Sequence, residues 1–269
     1  MNIDRLSLNQ ITTNYWNVAE AVAGSKAAGI RWISLWRDKV AEAGVHESVR
    51  LVHNAGLKVS SLCRGGMFAA ATATERSQRI ADNRRAIDEA AELGAEVLVL
   101  VCGPAPDKDI GRARDQVAQG IEAILPYAEA AHIPLGIEPL HPVFAGDRSV
   151  IVTLAEANNL VSRFASPVLG VVIDVYHVWW DPNVYQEIQR AAGHILGFHV
   201  NDWVLPMGIP LTARGLMGDG VIDIPRLSQA VLAAGYQGPI EVEILNQEIW
   251  ARPYPALLED IKTRFVVHV

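Results

Sequence analysis

Four short segments each end a run of apolar residues in an acid or an imidazole. They are Gly136-Ile137-Glu138-Pro139, Val172-Ile173-Asp174, Gly197-Phe198-His199 and Ile240-Glu241-Val242-Glu243. Side chains on a strand alternate between its two faces. With Ile137, Ile173, Phe198 and Val242 turned toward a packed layer, Glu138, Asp174, His199 and Glu243 turn together to the other side. Three carboxylates gathered in a buried place repel one another and are costly to desolvate. A divalent cation offsets both costs. Oxygen donors plus one imidazole suit Mn²⁺, Mg²⁺, Co²⁺ or Fe²⁺, and the lack of a cysteine ligand argues against a structural zinc site. A cation can acidify a C–H beside a carbonyl, and a carboxylate next to it can take the proton.

Such convergence needs parallel strands that end at a common rim. Apolar strands are read near Arg5–Asn9, Ile30–Trp36, Lys58–Leu62, Val97–Cys102, Leu135–Glu138, Leu169–Asp174, Ile195–His199 and Ile240–Ile244. Helical spacing fills the intervals, over Glu75–Leu93 with Gly94 as its stop, Gly111–His132, Val150–Phe164 and Leu227–Ala234 before Gly235. Strand and helix alternate eight times in one chain with no linker, so the expected fold is a single (β/α)₈ TIM barrel over residues 1–269. A doubly wound open sheet is the alternative. It is disfavoured because Gln10-Ile11-Thr12-Thr13, not a glycine-rich phosphate loop, follows the first strand.

Composition narrows the function. The chain has 269 residues, half of them hydrophobic, with 23 Lys+Arg against 30 Asp+Glu and a net charge of −7. An acidic chain argues against nucleic acid as a partner. No membrane span and no signal-peptide core appear, and Cys63 and Cys102 are too few for a disulfide framework, so a cytoplasmic location is expected. Tryptophans cluster after strand ends. Trp16 and Trp36 are candidates to stack on a sugar, and Phe68, in the Gly65-Gly66-Met67-Phe68 loop, is a candidate lid. Trp179-Trp180 is read as pocket, packing or dimer contact, and His141 as a loop-positioning residue.

The GIEP, IDVYH, FHVND and IEVEI segments, with GLMGDGVIDIPRL and AAELGAEVLVL, resemble the xylose isomerase-like TIM-barrel sugar isomerases and epimerases along nearly the whole chain. This group includes ketose 3-epimerases, inosose isomerases and dehydratases, and hydroxypyruvate isomerases. The resemblance implies metal ligation by Glu138, Asp174, His199 and Glu243, with Glu138 and Glu243 as opposed proton-transfer bases. Glu241 shares the parity of Glu243, but Glu243 lies nearer the mouth and matches the family's Val-Glu pair; Glu241 is expected one layer deeper, beside a basic group. The resemblance also marks His177 and Arg214 as substrate contacts.

The implied activity is a divalent-metal-dependent isomerase or epimerase of a keto-sugar, polyol-derived ketone or related carbohydrate, acting through a metal-stabilised enediolate. Mn²⁺ is the expected cation, with Mg²⁺, Co²⁺, Fe²⁺ or Zn²⁺ as alternatives. The partners implied are a small carbohydrate and further copies of the chain, in a dimer or tetramer. A lyase of the same group, a keto-inositol-type dehydratase or a 3-keto-glycoside-cleaving enzyme, is the second reading. An endonuclease IV-like nuclease is remote, because Cys63 and Cys102 stand where that enzyme needs other ligands. No phosphate-binding loop or basic cluster appears near strands seven and eight, which favours a non-phosphorylated substrate.

Overall fold

The computed structural model describes residues 1–269. Eight parallel strands close into a barrel: β1 (Leu6–Asn9), β2 (Trp32–Trp36), β3 (Lys58–Gly66), β4 (Leu98–Val101), β5 (Leu135–Ile137), β6 (Leu169–Asp174), β7 (Ile195–Val200) and β10 (Ile240–Val242). Two further strands, β8 (Asp202–Trp203) and β9 (Arg214–Gly215), form a small antiparallel ribbon above the rim. The ring is shut by β10, which pairs with β7 on one side and β1 on the other. Closure rules out the open doubly wound sheet. No helix is long and apolar enough to cross a membrane.

Local chemistry explains the helix limits. Thr72 caps the helix Ala73–Leu93 in a reciprocal capping box with Glu75, so the helix begins two residues before the expected Glu75. It ends at Gly94, whose φ of 65° is left-handed. The helix expected over Val150–Phe164 runs only over Leu154–Phe164. Thr153 and Glu156 form another capping box there, and Val150–Val152 precede the helix, with Val150 N–H donating to the Gly103 carbonyl.

Strand ends also moved. β3 runs four residues beyond the expected Leu62, because Asn83 of the helix Ala73–Leu93 grips its end. The Asn83 amide accepts from Gly66 N–H (2.6 Å) and donates to the Gly66 carbonyl (2.8 Å). Gly66 is required there: at φ 101°, a Cβ would lie 2.1 Å from the Val101 carbonyl oxygen. Glu138 and Glu243 lie one residue past β5 and β10, yet their N–H groups still reach the neighbouring strands, at the carbonyls of Leu100 (3.1 Å) and Val200 (3.3 Å).

Candidate metal centre

The four strand ends deliver what parity predicts. Glu138, Asp174, His199 and Glu243 are all buried at the C-terminal rim, and one ligand atom from each lies within 4.8 Å of the others. Their apolar neighbours Ile137, Ile173, Phe198 and Val242 are fully buried in the hydrophobic core. The strand alternation that fills the core therefore also aims the carboxylates.

His199 sits at the middle of the group. Its Nδ1 lies 3.3 Å from Glu138 Oε1 and 3.4 Å from Glu243 Oε2. Its Nε2 lies 3.3 Å from Glu241 Oε2. Glu241 occupies the deeper layer expected of it, and its basic neighbour is this imidazole. Its other contacts are neutral donors, Asn9 Nδ2 (2.9 Å) and Ser60 Oγ (2.7 Å). A carboxylate behind one ring nitrogen directs the other toward a metal and raises its basicity.

The donor set fits a divalent cation. Glu138 Oε1 and His199 Nδ1 are buried without an aligned hydrogen bond, although they nearly touch. Buried polar atoms are seldom left so. Three carboxylate residues and one imidazole match the preferences of Mn²⁺ and its neighbours, and the site does not by itself choose among them.

The electrostatics are strained in a way a cation would relieve. Burial pushes the Glu138 carboxyl upward. Burial likewise pushes Asp174 from 3.8 to about 7. For Glu243 burial acts in the same sense, but Arg214 and His199 outweigh it and hold the carboxyl below its usual range. For His199, burial is outweighed by Glu241, Glu138 and Glu243, which hold the ring well above its usual value.

A pH dependence follows. The folded-state pKa of Asp174 lies above its unfolded value, so the metal-free fold holds that proton more tightly. Its contribution to stability is present below 3.8 and is lost as pH rises to about 7. Cation binding needs the ionised form, so it strengthens through the same window. Thermal melts with and without Mn²⁺ should show a gain several degrees larger at about pH 8 than at about pH 5.5. An equal gain at both would contradict this.

Arg214 and His177 lie beside the group. The β8–β9 ribbon pairs Arg214 with Trp203, and Asn246 Nδ2 holds the Arg214 carbonyl at 2.9 Å. The guanidinium Nη1 donates to Asp174 Oδ2 and Glu243 Oε2, each at 2.8 Å. Its other face lies over Tyr176, 4.9 Å from the ring centre. His141 N–H donates to His177 Nδ1 (3.1 Å), which leaves the ring proton on Nε2. Burial, then Arg214, keeps this imidazole neutral. Nε2 lies 3.2 Å from Arg214 Nη2. Two donors converging at this distance suit a shared acceptor, such as a substrate oxygen.

These residues open onto a cavity of about 200 Å³ lined by Trp36, Glu138, His177, Arg214 and Glu243 among others. The Trp36 indole lines this cavity, and its Nε1 donates to Asn9 Oδ1 (2.8 Å). Two expectations are corrected. Phe68 is buried and is no lid. Met67 and Phe68 N–H groups donate to the carbonyls of Val101 and Cys102, which draws the loop down and turns the ring against Gly120 of the helix Ile110–Ala131. Trp16 does not line the cavity either. The 3₁₀ turn Gln10–Thr13 carries it outward, where it packs on Gly24 and edge-on to Tyr254, 4.8 Å away.

Trp179 and Trp180 pack within the chain, on Trp203 (5.7 Å) and His141 (5.5 Å) respectively. His141 does position its loop, accepting from Val143 N–H. Cys63 and Cys102 are buried thiols. Burial, then Glu243, lifts Cys63 well above its usual value, and burial pushes Cys102 up to about 12.

Three further residues buttress these groups without a signal singled out in the sequence. Asn201 donates to Asp174 Oδ1 (3.0 Å) and the Glu243 carbonyl (3.1 Å); it has the inward parity of His199, which was a usable signal. Tyr176 carries Arg214. Asp202 accepts from the N–H groups of Trp203, Gly218, Gly220 and Ile222 at 2.8–3.0 Å, and so organises the Gly215–Ile222 loop. Asp202→Ala should lower stability by about 3 kcal/mol, since several of these donors lose a charged acceptor. Urea unfolding measures it, and a change below about 1 kcal/mol would count against that role.

Comparison with known proteins agrees with the barrel fold. The family description xylose isomerase-like TIM barrel matches residues 22–263. The crystal structure of protein SMc04130 from Sinorhizobium meliloti 1021 is similar at 45% identity, with a TM-score of 0.97 and 99% of each chain covered. L-ribulose-5-phosphate 3-epimerase UlaE of Escherichia coli O1:K1 is 24% identical over 214 residues, 74% of this chain and 69% of that protein. A 3-dehydroshikimate dehydratase of Pseudomonas putida is 29% identical over 191 residues, 66% of this chain but 28% of that protein.

Proposed function

Because the chain belongs to the xylose isomerase-like TIM-barrel family, we propose that it is a divalent-metal-dependent isomerase or epimerase of a keto-sugar or related hydroxyketone. The observation that carries this reading is the convergence of Glu138, Asp174, His199 and Glu243 on one buried point. Similarity to a ketose 3-epimerase supports it. Mn²⁺ is the cation we infer.

A cation bound there would supply Lewis-acid polarisation of neighbouring carbonyl and hydroxyl oxygens, lowering the pKa of the C–H between them. The protein's own groups do the rest. Glu138 and Glu243 approach from β5 and β10, which are separated in the ring by β6 and β7. One carboxylate removes the proton and the other returns one to the opposite face, which inverts the carbon; return by the same group at the adjacent carbon isomerises it. His177 Nε2–H and Arg214 Nη2 hold a substrate oxygen, and Arg214 Nη1 keeps Glu243 ionised.

The test is proton exchange. Mn²⁺-loaded protein is incubated with a panel of ketoses in D₂O and followed by NMR. We expect deuterium at the carbon beside the carbonyl, and its absence across the panel would refute enolisation. The dehydratase relative supports a second reading, loss of a β-substituent after the same proton removal. Appearance of a conjugated enone would favour it.

A further inference from the structure

The cavity wall is poor in neutral hydrogen-bonding groups. No serine, threonine, asparagine, glutamine or tyrosine lines it. Beyond Glu138, Glu243, His177 and Arg214, its charged side chains are two arginines, Arg64 and Arg148. A sugar rich in hydroxyls would leave many of them unpaired against Leu140, Phe144 and Leu245, and each unpaired buried hydroxyl is costly.

The two arginines lack strong counter-charges. Arg64 forms no ion pair and donates from Nη1 to the Met67 sulfur at 3.2 Å. Arg148 meets only its chain neighbour Asp147, at 3.7 Å. Arg214 differs, since two carboxylates already engage it. The backbone brings the two segments to one flank. Met67 and Phe68, just after Arg64, bond to the carbonyls of Val101 and Cys102, and Val150, just after Arg148, bonds to the carbonyl of Gly103. Both segments thus clasp the end of β4. The carboxylate cluster lies on the other arc of the ring, from β5 through β6 and β7 to β10.

We propose that the substrate is an anionic hydroxyketone with few other hydroxyls, whose carboxylate or phosphate is recognised by Arg64 and Arg148 while its hydroxyketone end faces Glu138 and Glu243. The inference rests on the proton-transfer reading above and adds the charge of the substrate to it. Guanidinium is suited to both oxyanions, through paired N–H donors.

Calorimetric titration of Mn²⁺-loaded protein tests it with three small probes: dihydroxyacetone, its phosphate and hydroxypyruvate. At least one charged probe should bind about tenfold or more tightly than the neutral one, and which one does identifies the oxyanion. Arg64→Gln and Arg148→Gln should each bring the charged-to-neutral ratio toward one. Equal binding of all three, or an unchanged ratio in both variants, overturns the anion inference alone. Charged probes whose affinity survives chelation of the metal by EDTA overturn the hydroxyketone reading and leave the anion site standing. Binding of none overturns both.

Discussion

Glu243→Gln is expected to slow deuterium exchange from a responsive ketose by about 10²–10⁴-fold, the usual worth of a positioned general base. That corresponds to about 3–5 kcal/mol of lost transition-state stabilisation. Glutamine keeps the volume of the side chain and removes its charge and its basicity. The ionised form is what Arg214 Nη1, at 2.8 Å, and His199 hold in place. Exchange is to be measured at saturating Mn²⁺, with bound metal counted by electron paramagnetic resonance, so that lost chemistry is separated from lost cation. Exchange within threefold of the parent, with the metal present, would remove Glu243 as the base.

Glu241→Gln should act one layer deeper and on a different quantity. Loss of the carboxylate beside His199 Nε2 should weaken Mn²⁺ binding about 10–100-fold, as for other partners of metal-bound imidazoles. The carboxylate lies 3.3 Å from the ring nitrogen and is itself held by Asn9 and Ser60. A glutamine there would offer an N–H where the imidazole needs an acceptor, and so frees the ring to turn. The dissociation constant for Mn²⁺, read by titration, is the decisive measurement. A change below threefold would show that Glu241 merely fills space.

The fold was legible in the sequence wherever one local pattern decided the outcome. β6 falls on Leu169–Asp174 as expected, because a six-residue apolar run ending in an acid has few other uses. The carboxylates and His199 were legible for a related reason, since alternation along a strand fixes which side chains face inward. The misses share a different cause. Phe68 and Trp16 sit on segments whose path is set by backbone bonds to β4 and by a 3₁₀ turn, and no periodicity reports those. Asp202 works by binding N–H groups up to twenty residues later in the chain, and Tyr176 by stacking on an arginine from the ribbon. Such roles exist only once the loops have returned to the rim. Arg64 and Arg148 were invisible for the same reason, because 83 intervening positions separate them in the chain and only the end of β4 brings their segments together.

Glu241 lies on the strand that shuts the ring. Its contacts come from Asn9 on β1, Ser60 on β3 and His199 on β7, so they span the junction between the beginning and the end of the chain. The imidazole that would hold the cation is thus backed by a carboxylate whose own bonds exist only when the first and last strands have zipped together. Cation affinity and the integrity of that seam are then reciprocal quantities. Whatever loosens the terminal strand would loosen a cation held there, and such a cation would act as a clasp on the junction between the first and last strands.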